Sequence, residues 1–265
     1  MNRAPIDAQR LRGSLVSPAP VFFDRIDVVE STGSTNADLV ARAADPAVDR
    51  QALLAEEQVA GRGRHAREWV SPPRAQISLS ILVRLPGIDP VALGWLPLLT
   101  GIAVVDALRG TAGLSPELKW PNDVLLDNRK LAGILAEVAA TGIAPAVVVG
   151  VGLNVDLDQS ELPVPHATSL ALAGAETTDR TVLAAAILSE FARRFTDWER
   201  AGWATDELAA AYRERCATIG VNVRAELPGG KVLTGVATGV DETGRLLIGD
   251  QAVSAGDVTH LRGQY

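Results

Sequence analysis

Residues 117–155 read ELKWPNDVLLDNRKLAGILAEVAATGIAPAVVVGVGLNV, and this stretch decides the fold class. It looks like several strands joined by short turns, with Asp127-Asn128-Arg129 as the hairpin tip. Residues 146–150 are almost uniformly apolar, as expected of a central strand covered on both faces. Upstream, residues 90–108 predict a long apolar helix buried on most sides, and 76–84 alternate at the strand period. Residues 52–58 form a further strand candidate, leading into a glycine- and arginine-rich loop at 60–68. Thr35 is placed to cap a short helix running to about Ala44, after a strand candidate at 21–30. Residues 1–20 read as a weakly patterned, proline-containing tail.

Downstream, two helices are expected at about 179–200 and 204–216. After Cys216 the character changes. Short strand candidates at 221–227, 232–240, 245–249 and 252–254 are separated by glycine-containing turns, which suggests a small β-barrel or sandwich. The expected division is therefore a tail (1–20), a larger α/β unit (21–216) and a small C-terminal unit (217–265).

Composition narrows the chemistry. With 265 residues, 47% of them hydrophobic, the chain can build a sizeable core. Its single cysteine excludes an internal disulfide and any zinc site of several thiolates, and His65, His166 and His260 are scattered. No long apolar run precedes Pro20, so neither a secretion signal nor a membrane span is expected there, and a cytoplasmic location is the default. A net charge of −7 argues against a nucleic-acid grip. Only three of the 25 basic residues are lysine. A chain that uses arginine almost everywhere should keep lysine where a compact ammonium is needed. Lys119 and Lys130 both fall inside the opening stretch; Lys231 does not.

Three pieces carry the candidate chemistry. Gly61-Arg62-Gly63-Arg64-His65-Ala66 fits the dinucleotide fingerprint by letter, but Pro72-Pro73 follows and no helix pattern opens, so the Rossmann reading fails. Taken alone, this loop is a solvated turn, an RNA-binding segment, or a cationic lid over an anionic ligand. Lys119-Trp120-Pro121-Asn122-Asp123 and Arg129 to Leu135 set Lys119 and Lys130 on neighbouring strands, with Asp123 able to offer an oxygen to magnesium. Ser34-Thr35-Asn36 supplies hydroxyls and an amide, for capping or for binding a polar ring.

The order of these pieces resembles the bacterial biotin–protein ligases. Matching elements are Ser34-Thr35-Asn36, Glu57-Gln58 before the Gly-Arg loop, Arg67 with Trp69, Lys119 to Asp123, Arg129 to Leu135, and Gly150 to Val155. The likeness runs from about residue 26 to the C-terminus. Ala66 departs from a glycine found in many relatives, which leaves the closing rate of the loop open. Only about twenty-five residues precede the matching region, too few for the helix-turn-helix domain of the family's repressors, so no DNA binding is expected.

The resemblance implies a mixed-sheet catalytic domain akin to class II tRNA synthetases, followed by an SH3-like barrel. It implies that biotin is converted to biotinyl-5′-AMP and passed to a lysine of a biotin carboxyl carrier domain, with ATP and Mg²⁺. Catalysis would fall to Lys130, Arg62, Arg64 and Lys119. Biotin would be held by Ser34, Thr35, Asn36, Gln58, Gly61, Arg62, Arg64, Lys130 and Gly133. ATP would be held by Arg64, Arg67, Trp69, Lys119, Asn122, Asp123, Lys130 and Asn154, with Asp123 as the metal ligand. The protein is expected to be a monomer or weak homodimer with no membrane partner. A lipoate or octanoate ligase or transferase of the same fold group, and an RNA-binding module using the Gly-Arg loop, are the competing readings.

Overall fold

The computed structural model describes residues 3–16, 22–69, 72–254 and 256–261. Its frame is a seven-stranded mixed sheet in the order β1-β2-β3-β7-β6-β5-β4. The strands are β1 (Arg25–Val29), β2 (Gln51–Ala55), β3 (Gln76–Arg84), β4 (Glu117–Lys119), β5 (Asp123–Leu126), β6 (Arg129–Ala140) and β7 (Ala146–Asn154). Only β1 and β2 pair in parallel; every other neighbour is antiparallel. The expected central strand is central, since β7 has three strands on either side. Asp127 and Asn128, at the β5–β6 tip, both have positive φ (50° and 61°). Two such residues in succession give the turn whose twist suits a two-residue hairpin, and Asp and Asn tolerate that backbone best after glycine.

The two faces of the sheet differ in chemistry. On β3, Ile77, Leu79, Ile81 and Val83 join a large core, as do Val147, Val149, Val151 and Leu153 on β7. That core is completed by α3 (Trp95–Thr111), α4 (Arg180–Arg200) and α5 (Asp206–Arg213). By length and composition the helical stretch from Pro90 to Thr111 is apolar enough to cross a membrane, but it is mostly buried inside the protein. Within it, Asp106 pairs with Arg194 of α4 and with Arg215, whose Nε lies 2.7 Å away. The opposite face carries α2 (Thr35–Arg42), which rests Leu39 on Leu53, Leu82 and Val148. Beyond α2 this face is built from Ser78, Ser80, Gly150 and Gly152. Residues that small leave room above the strands.

Three expectations need correction. The stretch read as a tail contains α1 (Ala8–Leu15), capped by Asp7 and anchored by the fully buried Leu11. Its Arg-rich surface and brevity hide the pattern. Thr35 is not the cap of α2 but its first residue, its hydroxyl engaged with Gln58 and Ser80; Ser34 occupies the cap position without a capping hydrogen bond. Lys119 and Lys130 lie on strands separated by β5 rather than on adjacent ones. The start of the strand candidate at 21–30 falls outside the described residues, and β1 begins at Arg25.

After Cys216 the chain forms a separate five-stranded antiparallel sheet, β11-β10-β9-β8-β12. Its strands are β8 (Asn222–Glu226), β9 (Val232–Val240), β10 (Leu246–Ile248), β11 (Gln251–Val253) and β12 (Asp257–His260), the last absent from the sequence-based expectation. The sheet stays against the larger unit through specific bonds. Trp95 Nε1 donates to Glu242 O (2.6 Å) and Trp120 Nε1 to Gly244 O (3.0 Å). Thr218 accepts from Trp120 N and lies 3.0 Å from His260 Nε2.

Candidate active site

A cleft of about 560 Å³ opens over the small-residue face of the sheet. It is lined by every residue expected to bind or catalyse except Gly61, which borders an adjoining hollow with Leu135 and Glu137. Four separated stretches meet here: the start of α2, the Gly-Arg loop, the β4–β5 turn with β6, and the end of β7. The C-terminal unit adds Asp257, Val258 and Thr259.

One end of the cleft is neutral and polar. Gln58 Oε1 accepts from Thr35 N (2.8 Å) and from Thr35 Oγ1 (3.0 Å). Thr35 Oγ1 also lies 2.7 Å from Ser80 Oγ, and Ser80 donates to Asn36 Oδ1 at 2.6 Å. Asn36 Nδ2 then donates to Leu135 O and to Glu137 Oε2. The three contacts from Gln58 through Thr35 and Ser80 to Asn36 share two hydroxyl hydrogens. A ring with its own N–H donors and a carbonyl acceptor would therefore find this network able to re-pair. Ser80 and Glu137 were not expected from sequence; the serines of β3 were a signal, standing in an otherwise apolar strand.

The other end is cationic. Arg62, Arg64, Arg67, Lys119 and Lys130 line it, against the carboxylates Glu68, Asp123 and Asp257. This excess of positive charge stands in a chain whose net charge is −7. Lys130 Nζ lies 2.6 Å from Asp123 Oδ1, a buried oxygen with no aligned hydrogen bond. Register places Asp123 between Lys119 on β4 and Gly133 on β6. Burial pushes the Arg64 guanidinium below its usual value, opposed by the charges of Asp257 and Asp123. Arg64 Nη1 donates to Asn122 Oδ1 at 3.0 Å. On β12, burial and then the Lys119 charge push the His260 imidazole down. Among the described residues, no three His, Cys, Asp or Glu side chains gather closely enough to hold a metal by themselves.

The Gly-Arg loop lies folded against the site. Gly63 N donates to Arg67 O and Trp69 N to Gly61 O, with Arg62 bridged to Glu68, so the loop is a small irregular hairpin. Close approach, not positive φ, requires the glycine at 61 and favours the one at 63. A Cβ on Gly61 would run into the carbonyl of Trp69, and one on Gly63 would lie 3.3 Å from Arg67 O. The loop is latched to the C-terminal unit by Arg67 and Asp257, and to β6 more loosely by Arg62 and Glu137 at 3.8 Å.

Trp69 lies across Gly133 and Gly152. A Cβ on Gly133 would meet Trp69 Cζ3 at 2.9 Å, and one on Gly152 would overlap the indole. The ammonium of Lys130 stands 5.6 Å from its ring centroid, within reach of a cation–π contact. Trp69 Nε1 donates to Gln76 Oε1, Gln76 Nε2 to Asn154 Oδ1, and Asn154 Nδ2 to Thr168 O. Asn154, one of the residues expected to hold ATP, lines the cleft and has a hydrogen bond at each end of its amide. Glycines at alternate positions 150 and 152 were the available signal, since a strand glycine marks close approach.

The comparisons with known proteins agree with this geometry. Residues 28–154 match the model of the biotin/lipoate A/B protein ligase family, and 218–261 match the biotin protein ligase C-terminal domain. A biotin–[acetyl-CoA-carboxylase] ligase from Mycobacterium tuberculosis is 48% identical over 268 residues, covering 98% of this chain and 97% of that protein. The chain belongs to the biotin protein ligase family. The bifunctional ligase/repressor BirA of Bacillus subtilis is 34% identical, over 84% of this chain and 67% of that protein. Among solved structures, the biotin protein ligase of Aquifex aeolicus in complex with biotin and ATP superposes with a TM-score of 0.73 at 25% identity, covering 91% of this chain and all of that one. Cys216 is buried, and burial raises its thiol pKa, an environment that disfavours the reactive thiolate.

Proposed function

We propose that this protein is an ATP-dependent biotin–protein ligase that makes biotinyl-5′-AMP and transfers the biotinyl group to a lysine of a biotin carboxyl carrier domain. The observation that carries the reading is the meeting of Arg62, Arg64, Lys119 and Lys130 in one cleft beside the Thr35–Gln58–Ser80 network. The acetyl-CoA-carboxylase partner in the name of the M. tuberculosis relative supports a carboxylase carrier as the acceptor. A cytoplasmic setting, where ATP and such carriers meet, fits it.

In the first step the biotin carboxylate attacks the α-phosphorus of ATP, and pyrophosphate leaves. Two anions must approach: at an effective dielectric of about 20, unit charges about 4 Å apart repel by roughly 4 kcal/mol. Lys130 and Arg62 would face the carboxylate side of the junction, Lys119 and Arg64 the phosphates. Fixed donors of this kind contribute on the order of 10²–10³ in rate apiece. Thr35, Ser34 and Gln58 would hold the ureido ring, and Trp69 would offer its indole face to adenine. Magnesium, carried on the ATP phosphates, would find its protein oxygen at Asp123, whose buried Oδ1 lies 2.6 Å from the Lys130 ammonium. It would neutralise phosphate charge there. In the second step the amine of the carrier lysine attacks the acyl carbonyl and AMP leaves. The folded loop 60–68 would keep water from the anhydride in between.

Calorimetric titration with biotin and with lipoate, with and without ATP, tests the reading, together with pyrophosphate release. Biotin should bind, and pyrophosphate should appear only when biotin is present. Tighter binding of lipoate would redirect the assignment to a lipoate ligase. Retention of RNA on filters at moderate salt, without biotin binding, would favour an RNA-binding module.

A further inference from the structure

The segment of residues 3–7 crosses the back of the cleft wall as a strap. Arg3, largely buried, donates from Nη2 to Asp156 O (2.6 Å) and Glu161 Oε2 (2.5 Å), and from Nη1 to Glu161 Oε1 (3.1 Å). Ala4 O accepts from Arg180 Nη2, Ile6 N donates to Glu56 Oε1, and Asp7 N donates to Thr181 Oγ1. Arg180 and Glu56 form a buried ion pair at 2.6 Å, with 5% and 3% of their side chains exposed. The strap is thus seated on a buried charge pair. None of it lies within the residues that match the family model.

What Arg3 grips is one flank of the candidate nucleotide site. Residues 155–168 run from the end of β7 at Asn154 back to Lys130. Val155 N and Asp156 N donate to Ala75 O; further on, Lys130 N donates to His166 O and Thr168 N to Lys130 O. Between these ends, Pro163, Val164, His166 and Ala167 face the cleft. Between these backbone ties the span is irregular, so the position of its middle depends on side-chain ties. The turn at its middle is closed by Asp158 with Ser160 and Glu161, and Arg3 ties it to the rest of the protein. The hydrogen bond from Arg3 also holds the Glu161 carboxyl below its usual range.

We infer that Arg3 is a positioning residue for ATP: by clamping the 156–161 turn it sets the 163–167 wall of the cleft beside Asn154. The inference rests on the ligase reading above. The forked guanidinium suits a site that must hold a carboxylate and a carbonyl together, which an ammonium cannot do in the same geometry.

The test compares Arg3→Ala, Arg3→Lys, Glu161→Gln and the swap Arg3→Glu with Glu161→Arg in biotin-dependent pyrophosphate release. Hydrogen exchange over 156–168 is followed in each. For Arg3→Ala, KM for ATP should rise about tenfold, KM for biotin should stay within about twofold, and exchange over 156–168 should speed up, because small displacements of a binding wall cost affinity steeply. Glu161→Gln should behave alike, the lysine variant should recover part of the loss, and the swap more than either single change. Unchanged KM for ATP with unchanged exchange overturns the inference. So does an equal rise in both KM values with a lowered melting temperature, which is general destabilisation. If the unaltered protein releases no pyrophosphate with biotin, the ligase reading falls instead, and the exchange comparison still decides whether Arg3 clamps the wall.

Discussion

Lys130 shows how far a single residue can be read. In a chain with 22 arginines and three lysines, a retained lysine marks a place where a compact ammonium matters. Lys119 and Lys130 line the cleft, whereas Lys231 is exposed on the C-terminal unit. Lys130→Ala should lower biotin-dependent pyrophosphate release by about 10²-fold or more. Its melting curve should stay near that of the unaltered protein. The Asp123 carboxylate it leaves behind belongs to a side chain 20% exposed, so water can take the place of the ammonium. Lys231→Ala should leave the rate unchanged. A Lys130→Ala protein with near-normal pyrophosphate release would remove Lys130 from the chemistry. What no single-residue pattern discloses is a partner far along the chain, such as Ser80 beside Asn36 or Gly152 beneath Trp69.

At the scale of the element, the Gly-Arg loop was legible as a cationic segment between ordered strands, and its glycines serve close approach of backbone to backbone. Their φ values are not positive; they let strands of backbone touch. Gly61→Ala would push against the carbonyl of Trp69 and part the Gly61–Trp69 pairing. The opened loop should release biotinyl-5′-AMP early. The measurement is biotin on bystander lysines of an inert protein, expected to rise severalfold while adenylate synthesis continues. Normal synthesis without stray labelling would mean that the loop does not guard the intermediate. The long apolar helix α3 was legible too, and its one acidic residue reveals its surroundings. Asp106, set among apolar residues of the helix, needs the two arginines that α4 and the chain before β8 bring to it.

That triad joins α3, α4 and the link to the C-terminal unit, so its loss should be felt by the molecule as a whole. Burial pushes the Asp106 carboxyl up, but hydrogen bonds from Arg215 and Arg194 outweigh it and hold the group below its usual value. A carboxyl lowered on folding stabilises fully above its unfolded pKa of about 3.9, and that contribution is lost as pH falls through the folded value. Asp106→Asn should therefore cost about 2 kcal/mol at pH 7. The gap in melting temperature from the unaltered protein should close in acid, below about pH 4. Melting temperatures across pH 2.5–8 (a range of about five units spanning that pKa) check it; a constant gap would exclude titration of Asp106 as the cause.

The order of most strands and helices (α1 and β12 excepted), the hairpin at Asp127-Asn128, the change of character after Cys216 and the family motifs follow from the amino-acid order alone. Each depends on neighbours a few residues apart, where periodicity and turn chemistry act. The helix α1 and the strap of residues 3–7 before it, the latch from Arg67 to Asp257, the engaged amide of Asn154 and the placing of β5 between the two lysines were settled only by tertiary structure. These join residues that are up to 190 positions apart. Their distances depend on sheet order and packing, which no local pattern encodes.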